Sequence, residues 1–329
     1  MTGLERYWYR VSPAHLLLLP ISWLFGALAA TRRLLYRTGI LPSHRLSVPV
    51  VVIGNISVGG TGKTPLTLAI ASHLVAMGWH PVIVSRGFGG AAKLQPVTAN
   101  STAQQVGDEP LLMAQRRICP VWTGTDRVAT ARAALLSHPE CNVVLCDDGL
   151  QHYRLQRDFE IVVVDGRRRF GNGLLLPAGP LREGEWRLNT VDAVVVNGGK
   201  PAADQYDMQL AGALLHNLRH PERTASAAEL RGLHLHAVAG IGHPQRFFDH
   251  LADLGLTVTP HAFPDHHPYS ASDLDFTDCD ALLLTEKDAV KCAPFADDRY
   301  WVLRVDTQVD SALFAHLLRK IAPNGRKTA

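Results

Sequence analysis

The sequence predicts an α/β fold: a mainly parallel sheet with helices on both faces, joined to a second, smaller α/β unit. Between residues 48 and 197, short apolar and β-branched runs alternate with stretches of helical spacing. A second alternation of this kind begins near residue 233. The chain has 329 residues, which is long enough for two domains with separate cores.

The composition excludes several classes of protein. Hydrophobic residues make up 47% of the chain and charged residues 19%, as in globular proteins. A net charge of +3, without a basic tract that carries interleaved aromatics, argues against a nucleic-acid partner. The five cysteines have no CxxC spacing, which favours a reducing compartment over a disulfide framework or a zinc site. No feature of the sequence indicates an obligate protein partner.

We assign residues 1–45 to an N-terminal hydrophobic or amphipathic segment that associates with a membrane. Residues 16–30 carry no charge and are followed by arginines, although Pro20 interrupts the run, which is shorter than the roughly 20 apolar residues of a spanning helix. Three interpretations compete: a cleaved signal peptide, a buried core helix, and a helix lying in the membrane interface. We favour the interfacial helix, whose apolar side chains enter one leaflet while the arginines meet anionic head groups.

The glycine-dense loop at residues 57–64 (SVGGTGKT) lies between a predicted strand at 50–53 and a predicted helix, which is the setting of a phosphate-binding P-loop. Its glycines let backbone N–H groups surround phosphate oxygens at a helix N-terminus. Lys63 would neutralise the β- and γ-phosphates, and the Thr64 hydroxyl would hold Mg²⁺. Ser57 replaces the first glycine of the GxxxxGKS/T pattern, and Gly59 and Gly60 partly compensate. We expect ATP to contact Ser57, Val58, Gly59, Gly60, Thr61, Gly62, Lys63 and Thr64. A cleaved signal peptide would export this loop to a place without ATP, so we discount that interpretation of the N-terminal segment.

An apolar strand at residues 142–146 ends in Asp147 and Asp148. Alone, such a pair is an ordinary solvated strand end. Together with the P-loop it is typical of a Walker B element, in which a carboxylate holds Mg²⁺ directly or through water. We therefore predict a P-loop nucleotide-binding domain over residues 46–205, with a P-loop NTPase-type sheet.

The rest of the chain is less distinctive. Three arginines at 167–169 indicate either a solvated loop or a loop that grips an anionic ligand. Residues 206–232 alternate only weakly between apolar and polar residues, and we interpret them as an interdomain linker. Residues 233–329 are predicted to form a C-terminal α/β domain that completes the active-site cleft.

Seven motifs occur in order along the chain: SVGGTGKT at 57–64, RG at 86–87, GDEP at 107–110, DDGLQH at 147–152, LPAGPLRE at 176–183, FPDHH at 263–267 and TEKDAVK at 285–291. The set covers nearly the whole chain and resembles the tetraacyldisaccharide 4′-kinase (lipid A 4′-kinase) family of Gram-negative bacteria. Each motif is weak alone, whereas seven in order are specific. The Ser57 departure is similar to the family's own version of the loop.

The resemblance implies a kinase that moves the γ-phosphoryl of ATP to the 4′-hydroxyl of a tetraacylated glucosamine disaccharide 1-phosphate in lipid A biosynthesis. It implies the substrate, ATP and Mg²⁺ as ligands, and a location at the cytoplasmic face of the bacterial inner membrane, peripheral or monotopic. The carboxylate of the GDEP motif, Asp108, would be the catalytic base, paired with a histidine of the DHH motif. That histidine is His266 by preference, with His267 as the second choice.

The resemblance also implies roles for other residues. Lys63 would act with Asp108 and His266 in catalysis. The metal ligands would be Thr64, Glu109 and Asp148, supported by Asp147. Arg182, Glu183 and His267 would line the substrate side.

The chemistry is consistent with these roles, because a carboxylate that accepts the proton of a sugar hydroxyl contributes about 10²–10⁴-fold. Each residue also has a structural alternative: a solvent-facing loop for the histidines, and a helix N-cap for Asp108. Lys287 and Asp288 are interpreted as a strand-end turn that braces the cleft.

Two other classes of protein remain as alternatives. A P-loop ATPase or switch protein would hydrolyse ATP without modifying a lipid. Partitioning ATPases carry a lysine where Val58 stands, and the NKxD motif of small GTPases is absent, since NGGK at 197–200 and TEKD at 285–288 both depart from it. The second alternative is a structural protein of the membrane surface with an inert glycine loop.

Overall fold

The computed structural model describes residues 7–9, 14–91, 93–98 and 100–325. Its first part comprises helix α1 (Ala14–Arg37), β1 (Val50–Gly54), α2 (Lys63–Ala76), β2 (Pro81–Ser85), β3 (Gln95–Pro96), α3 (Ala103–Val106), α4 (Asp108–Gln115), β4 (Val121–Thr123), α5 (Arg127–Ser137), β5 (Val143–Asp147), β6 (Phe159–Asp165), β7 (Ala193–Asn197) and β8 (Tyr206–Ala211). The remainder comprises β9 (Leu214–Asn217), β10 (Thr224–Ser226), β11 (Leu235–Ala239), α6 (Pro244–Asp253), β12 (Val258–Ala262), β13 (Ala281–Thr285), α7 (Glu286–Cys292), β14 (Tyr300–Leu303), β15 (Asp306–Val309) and α8 (Ser311–Gly325).

The first sheet has the strand order β15-β8-β7-β6-β1-β5-β2-β4-β3, and only the pairs at its two ends are antiparallel. Strand β1 lies near the centre, between β6 and β5, and is fully buried. The carboxyl ends of parallel strands meet at one edge, so the loops after β1, β5, β6 and β7 lie side by side there. This topology positions the candidate site.

Helices cover both faces of this sheet, which confirms the predicted fold class. On one face, alternate residues of the central strands pack with α2 and α8, which contribute Leu66 and Leu317 among others. On the other face, Val52 and Cys146 pack with α5. Residues pointing to both faces are apolar, which explains why the strands are continuous hydrophobic runs.

The second sheet has the order β10-β9-β14-β13-β11-β12 and is parallel from β14 to β12. The carboxyl ends of its parallel strands lie at one edge. At this edge, helix α7 follows β13 directly, and the turn 240–243 follows β11 directly. Helices α4 and α7 pack against each other and join the two sheets. The loops of the second sheet thereby face those of the first.

Residues 206–232, expected to be a linker, contain three strands. β8 extends the first sheet, while β9 and β10 form the edge of the second. The C-terminal residues also differ from expectation, since β15 and α8 return to the first sheet. The edge strands are only partly buried and alternate weakly, so their sequences give little signal.

Helix α1 is a single helix of 24 residues that includes Pro20. It is long and apolar enough to cross a membrane by length and composition, and 11% of its most apolar window is buried. This low burial argues against the buried-core interpretation. One side of the helix contacts the 174–178 loop, where Ser22 Oγ accepts a hydrogen bond from the Ala178 N–H. Residues 1–6 and 10–13 of the expected 1–45 segment lie outside the described residues.

Candidate active site

The glycine loop connects β1 to α2, and the helix begins at Lys63. Gly59 and Gly62 have φ of +103° and +99°, a left-handed conformation that glycine adopts without strain. At Gly62 a Cβ atom would collide with the side chains of Asn197 and Met208. Glycine is therefore required there both by conformation and by space.

Neighbouring side chains hold the carbonyl groups of this loop. Nδ2 of Asn55 donates to Gly59 O (3.3 Å), an Arg168 NH2 group to Gly60 O (2.6 Å), and Nδ2 of Asn197 to Thr61 O (2.9 Å). Among the described residues, no hydrogen bond uses the N–H groups of residues 59–62. With its carbonyls tied back, the loop leaves these donors available for phosphate oxygens.

The two carboxylates at the end of β5, Asp147 and Asp148, lie beside this loop, and their pKa values are shifted in opposite directions. Oδ1 of Asp148 is 3.5 Å from Lys63 Nζ and 3.3 Å from an Arg182 guanidinium nitrogen. Burial alone would raise the pKa of Asp148, but the charges of Lys63 and Arg182 outweigh it and lower the pKa. Asp147 is fully buried, and burial together with the charge of Glu109 raises its pKa to about 7 despite the opposing charge of Lys63.

One carboxylate oxygen of Asp147 has no hydrogen-bond partner among the described residues. Its Oδ1 accepts a hydrogen bond from Thr67 Oγ1 (3.3 Å), whereas its buried Oδ2 has no partner. In the described part of the chain, no three acidic, histidine or cysteine side chains converge to hold a metal by themselves. Mg²⁺ in phosphate-transfer sites is held by one or two carboxylates together with phosphate oxygens and water, so this arrangement fits that ion.

A contact between the two sheets completes the candidate site. Asp108 is the first residue of α4, and its Oδ2 lies 3.0 Å from Nδ1 of His266, in the loop after β12. The His266 ring packs against Phe88, with ring centroids 5.1 Å apart. Burial would raise the pKa of Asp108, but the hydrogen bond to His266 and the charges of Lys291 and Lys287 hold it below its usual value. The carboxylate is therefore ionised at neutral pH.

Two lysines of α7 reach the same place. Lys291 Nζ is 3.7 Å from Asp108 Oδ2, and Lys287 Nζ is 3.4 Å from Glu109 Oε1 and 3.3 Å from His266 Nε2. Lys291 ends the TEKDAVK motif but has no predicted role, and Lys287 was expected to belong to a bracing turn. The helical spacing of four residues between them was the available signal, since it puts both side chains on one face.

The other expected residues are placed as follows. Arg182 is bound to Asp148 and half-buried, and Thr64 is buried in the first turn of α2. His267 Nε2 lies 3.5 Å from Asp273, and its ring packs against Phe263, so it is engaged away from Asp108.

Glu183 is buried in a network of its own. Its Oε1 accepts from Gln151 Nε2 (2.7 Å) and its Oε2 from Tyr153 Oη (2.6 Å). Nε of Arg187 lies 3.4 Å from Oε2. The carboxylate is therefore occupied by protein groups, which differs from the expected contact with a substrate.

Comparison with known proteins places these residues in context. A family model described as tetraacyldisaccharide-1-P 4′-kinase matches residues 14–322. The tetraacyldisaccharide 4′-kinase of Methylobacillus flagellatus is 51% identical over 319 residues, covering 97% of this chain and 95% of the relative. That of an Azoarcus species is 49% identical over 330 residues, covering 98% and 96%. Among solved structures, the "apo" form of LpxK from Aquifex aeolicus in complex with ATP matches with a TM-score of 0.79 and 28% identity, covering 94% of this chain and 99% of that one.

Proposed function

This chain belongs to the tetraacyldisaccharide-1-P 4′-kinase family, and from that premise we propose how its residues carry out the reaction. It is an ATP-dependent kinase of lipid A biosynthesis that phosphorylates the 4′-hydroxyl of a tetraacylated glucosamine disaccharide 1-phosphate. Phosphoryl transfer needs alignment and charge neutralisation more than covalent help.

The glycine loop holds the triphosphate. Free N–H groups at residues 59–62 bind phosphate oxygens, and Lys63 neutralises charge that develops on the γ-phosphoryl. Thr64, Asp147, Asp148 and Glu109 would hold Mg²⁺, which supplies further neutralisation between the β- and γ-phosphates when bound. The unpartnered Oδ2 of Asp147 supports this assignment.

Asp108 accepts the proton of the 4′-hydroxyl as that oxygen attacks the γ-phosphoryl, while the bond from the γ-phosphorus to the bridging oxygen breaks and ADP leaves. The carboxylate is the acceptor because its lowered pKa keeps it ionised. His266 orients it through the 3.0 Å contact, and Lys287 fixes the far side of the imidazole. The contact between Asp108 and His266, beside a phosphate-binding loop, is the observation that carries this mechanism.

The acceptor enters the cleft between the first sheet, which includes β8, β15 and α8, and the second sheet. Arg182 contacts the acceptor in this proposal, whereas Glu183 positions Gln151 and Tyr153. His267 supports the loop of His266 through Asp273.

Helix α1 brings this cleft to the lipid. An acylated disaccharide does not leave a bilayer readily, because each buried CH₂ contributes about 0.8 kcal/mol. The exposed apolar side chains of α1 support attachment to the inner membrane, at its cytoplasmic face, where ATP is available.

The function is tested with purified protein, radiolabelled ATP and Mg²⁺, with and without the tetraacylated disaccharide 1-phosphate. We expect label in the lipid only when acceptor is present, and little free phosphate in its absence. Phosphate release without lipid labelling would identify an ATPase instead. Absence of both activities would contradict any role in phosphoryl transfer.

A further inference from the structure

The loop after β2 carries an exposed aromatic side chain, Phe88, at the edge of the candidate active site. Its exposed fraction is 64%, and its ring lies against the imidazole of His266, with ring centroids 5.1 Å apart and planes tilted by 59°. Phe88 has no part in the phosphate site or in the proton transfer proposed above. A large apolar side chain left exposed beside a cleft is typical of a ligand-binding groove.

The backbone holds Phe88 in a fixed position. Gly87 has a φ of +69°, and a Cβ atom on it would lie 2.8 Å from the carbonyl oxygen of Val106. A Cβ atom on Gly107 would lie 2.5 Å from the carbonyl oxygen of Phe88. The loop therefore packs directly on the residue that precedes Asp108, the proposed base. Because both are positioned by the same packing, the ring belongs to a site that is already formed.

The sheet order places this ring on the side from which the acceptor approaches. The strands follow in the order β1-β5-β2, and they lead to the glycine loop, to the carboxylates of the metal site and to Phe88 respectively. In-line transfer puts the attacking hydroxyl on the far side of the γ-phosphoryl from the glycine loop. That is the side of Asp108, and His266 contacts both Asp108 and Phe88.

We propose that Phe88 binds the acceptor by stacking its ring on one face of the glucosamine that carries the 4′-hydroxyl. The inference rests on the proposed function, because it assumes that Asp108 faces this hydroxyl. The hydroxyl groups of a glucosamine chair are equatorial, so axial C–H groups make the faces of the sugar apolar. The negative face of an aromatic ring attracts such C–H groups. An equatorial 4′-hydroxyl then projects from the rim of the stacked sugar toward the base.

Two other roles of the ring would give different kinetics. If Phe88 only oriented His266, its removal would lower kcat and leave the KM for the acceptor unchanged. If it contacted an acyl chain instead of the sugar, an aliphatic side chain of similar volume would replace it. Only stacking on the sugar requires an aromatic face and acts on the KM for the acceptor.

Steady-state kinetics on the full chain in detergent micelles, with MgATP and the tetraacylated disaccharide 1-phosphate, test this inference. We expect Phe88→Ala to raise the KM for the acceptor about tenfold, with kcat and the KM for ATP changed by less than about threefold. Phe88→Leu should resemble Phe88→Ala, because it keeps apolar volume but loses the aromatic face. Phe88→Tyr keeps that face and should restore the KM to within about threefold of the wild-type value.

The matched control is Leu94→Ala. Leu94 is 47% exposed in the same connection between β2 and β3, and its loss should change none of the kinetic constants. A fall in kcat alone in Phe88→Ala, full activity in Phe88→Leu, or unchanged kinetics in Phe88→Ala would each overturn the stacking assignment while leaving the kinase function intact. If the wild-type chain transfers no phosphate to the acceptor, the proposed function fails, and this inference fails with it.

Discussion

At the scale of single residues, the cleft places two carboxylates, one on helix α4 and one on strand β5, in environments that shift their pKa values in opposite directions. Asp108 faces a histidine and two lysines from the second sheet, and its pKa lies below the usual value. Asp147 is fully buried beside Glu109, and its pKa is raised to about 7. Environments that separate the pKa values of neighbouring acids are typical of catalytic sites. In the proposed mechanism the first group accepts a proton and the second helps to hold a metal ion.

Substituting the base separates binding from chemistry. We expect Asp108→Asn to lower kcat by about 10²–10⁴-fold with ATP affinity nearly unchanged, because a general base acts in the transition state. Steady-state kinetics with the lipid acceptor, together with ATP titration, measure both quantities. A large loss of ATP binding would instead assign Asp108 to structure or to the metal.

The adjacent histidines form a matched pair. His266→Ala removes the group that contacts Asp108, so we expect kcat to fall about tenfold or more. His267→Ala removes only the contacts to Asp273 and the neighbouring aromatic rings, and kcat should change by less than about threefold. The same kinetic assay compares them, and equal losses in both variants would contradict the assignment.

The raised pKa of Asp147 gives a prediction for stability against pH. A group whose pKa is raised by folding contributes stability below its unfolded pKa, near 4, and that stability is lost as the pH rises through about 7. Without nucleotide and metal, the Tm of the wild-type chain should therefore fall more between pH 6 and pH 8 than the Tm of Asp147→Asn. Calorimetric scans of both proteins at each pH measure the difference. The same dependence of Tm on pH in both proteins would refute the prediction. Added MgATP should reduce the difference, because a nearby cation favours the ionised carboxylate.

At the scale of elements, α1 differs from the other helices in what it exposes. Leu17 and Leu24 are 80% and 60% exposed on this helix, whereas α2 and α8 bury their leucines in the core. A continuous exposed apolar surface of this kind marks a membrane or protein contact. Its anchoring through Ser22 and the 174–178 loop connects that surface to the catalytic unit.

Charges on this surface should release the protein from membranes. The double variant Leu17→Asp, Leu24→Asp should move from the membrane pellet to the supernatant, since an acidic side chain costs about 2.5 kcal/mol or more in the bilayer core. Leu136→Asp is the matched control, because Leu136 is 83% exposed on α5 and should leave the distribution unchanged. Sedimentation of the double variant with the membranes would show that attachment lies elsewhere.

At the scale of the whole molecule, the chain passes repeatedly between the two sheets. After β8 it enters the second sheet, and after β14 it returns to supply β15 and α8 to the first. Arg116, the residue directly after α4, pairs with Glu286 of α7 at 2.7 Å, a mostly buried contact that joins the two units. The nucleotide-binding sheet is therefore completed by residues from the far end of the chain.

A substitution in α8 should consequently lower the stability of the nucleotide-binding sheet. Leu317 is fully buried against that sheet, and Leu317→Ala should lower the free energy of unfolding by about 2–5 kcal/mol. Arg319→Ala, at an exposed position on the same helix, should change it by less than about 0.5 kcal/mol. Urea unfolding, followed by the loss of ATP binding, measures both, and equal stabilities would place α8 outside the cooperative unit.

Features that depend on neighbouring residues are predictable from the sequence alone. The β-branched run before the glycine loop and the helical spacing after it predicted β1, the loop and α2, because local periodicity and glycine conformation set them. The acidic residues after β5 were found in the same way. The resemblance of seven motifs then gave the family.

Contacts between residues that are distant in sequence are visible only in the folded chain. It brings His266, rather than His267, to Asp108 across 158 positions of sequence, and it places Lys291 beside the same carboxylate, a contact that depends on how α7 packs against α4. It also assigns the weakly alternating strands β8 and β15 to the first sheet. Sequence periodicity reports how one element is buried, whereas the pairing of elements depends on contacts made by the whole chain.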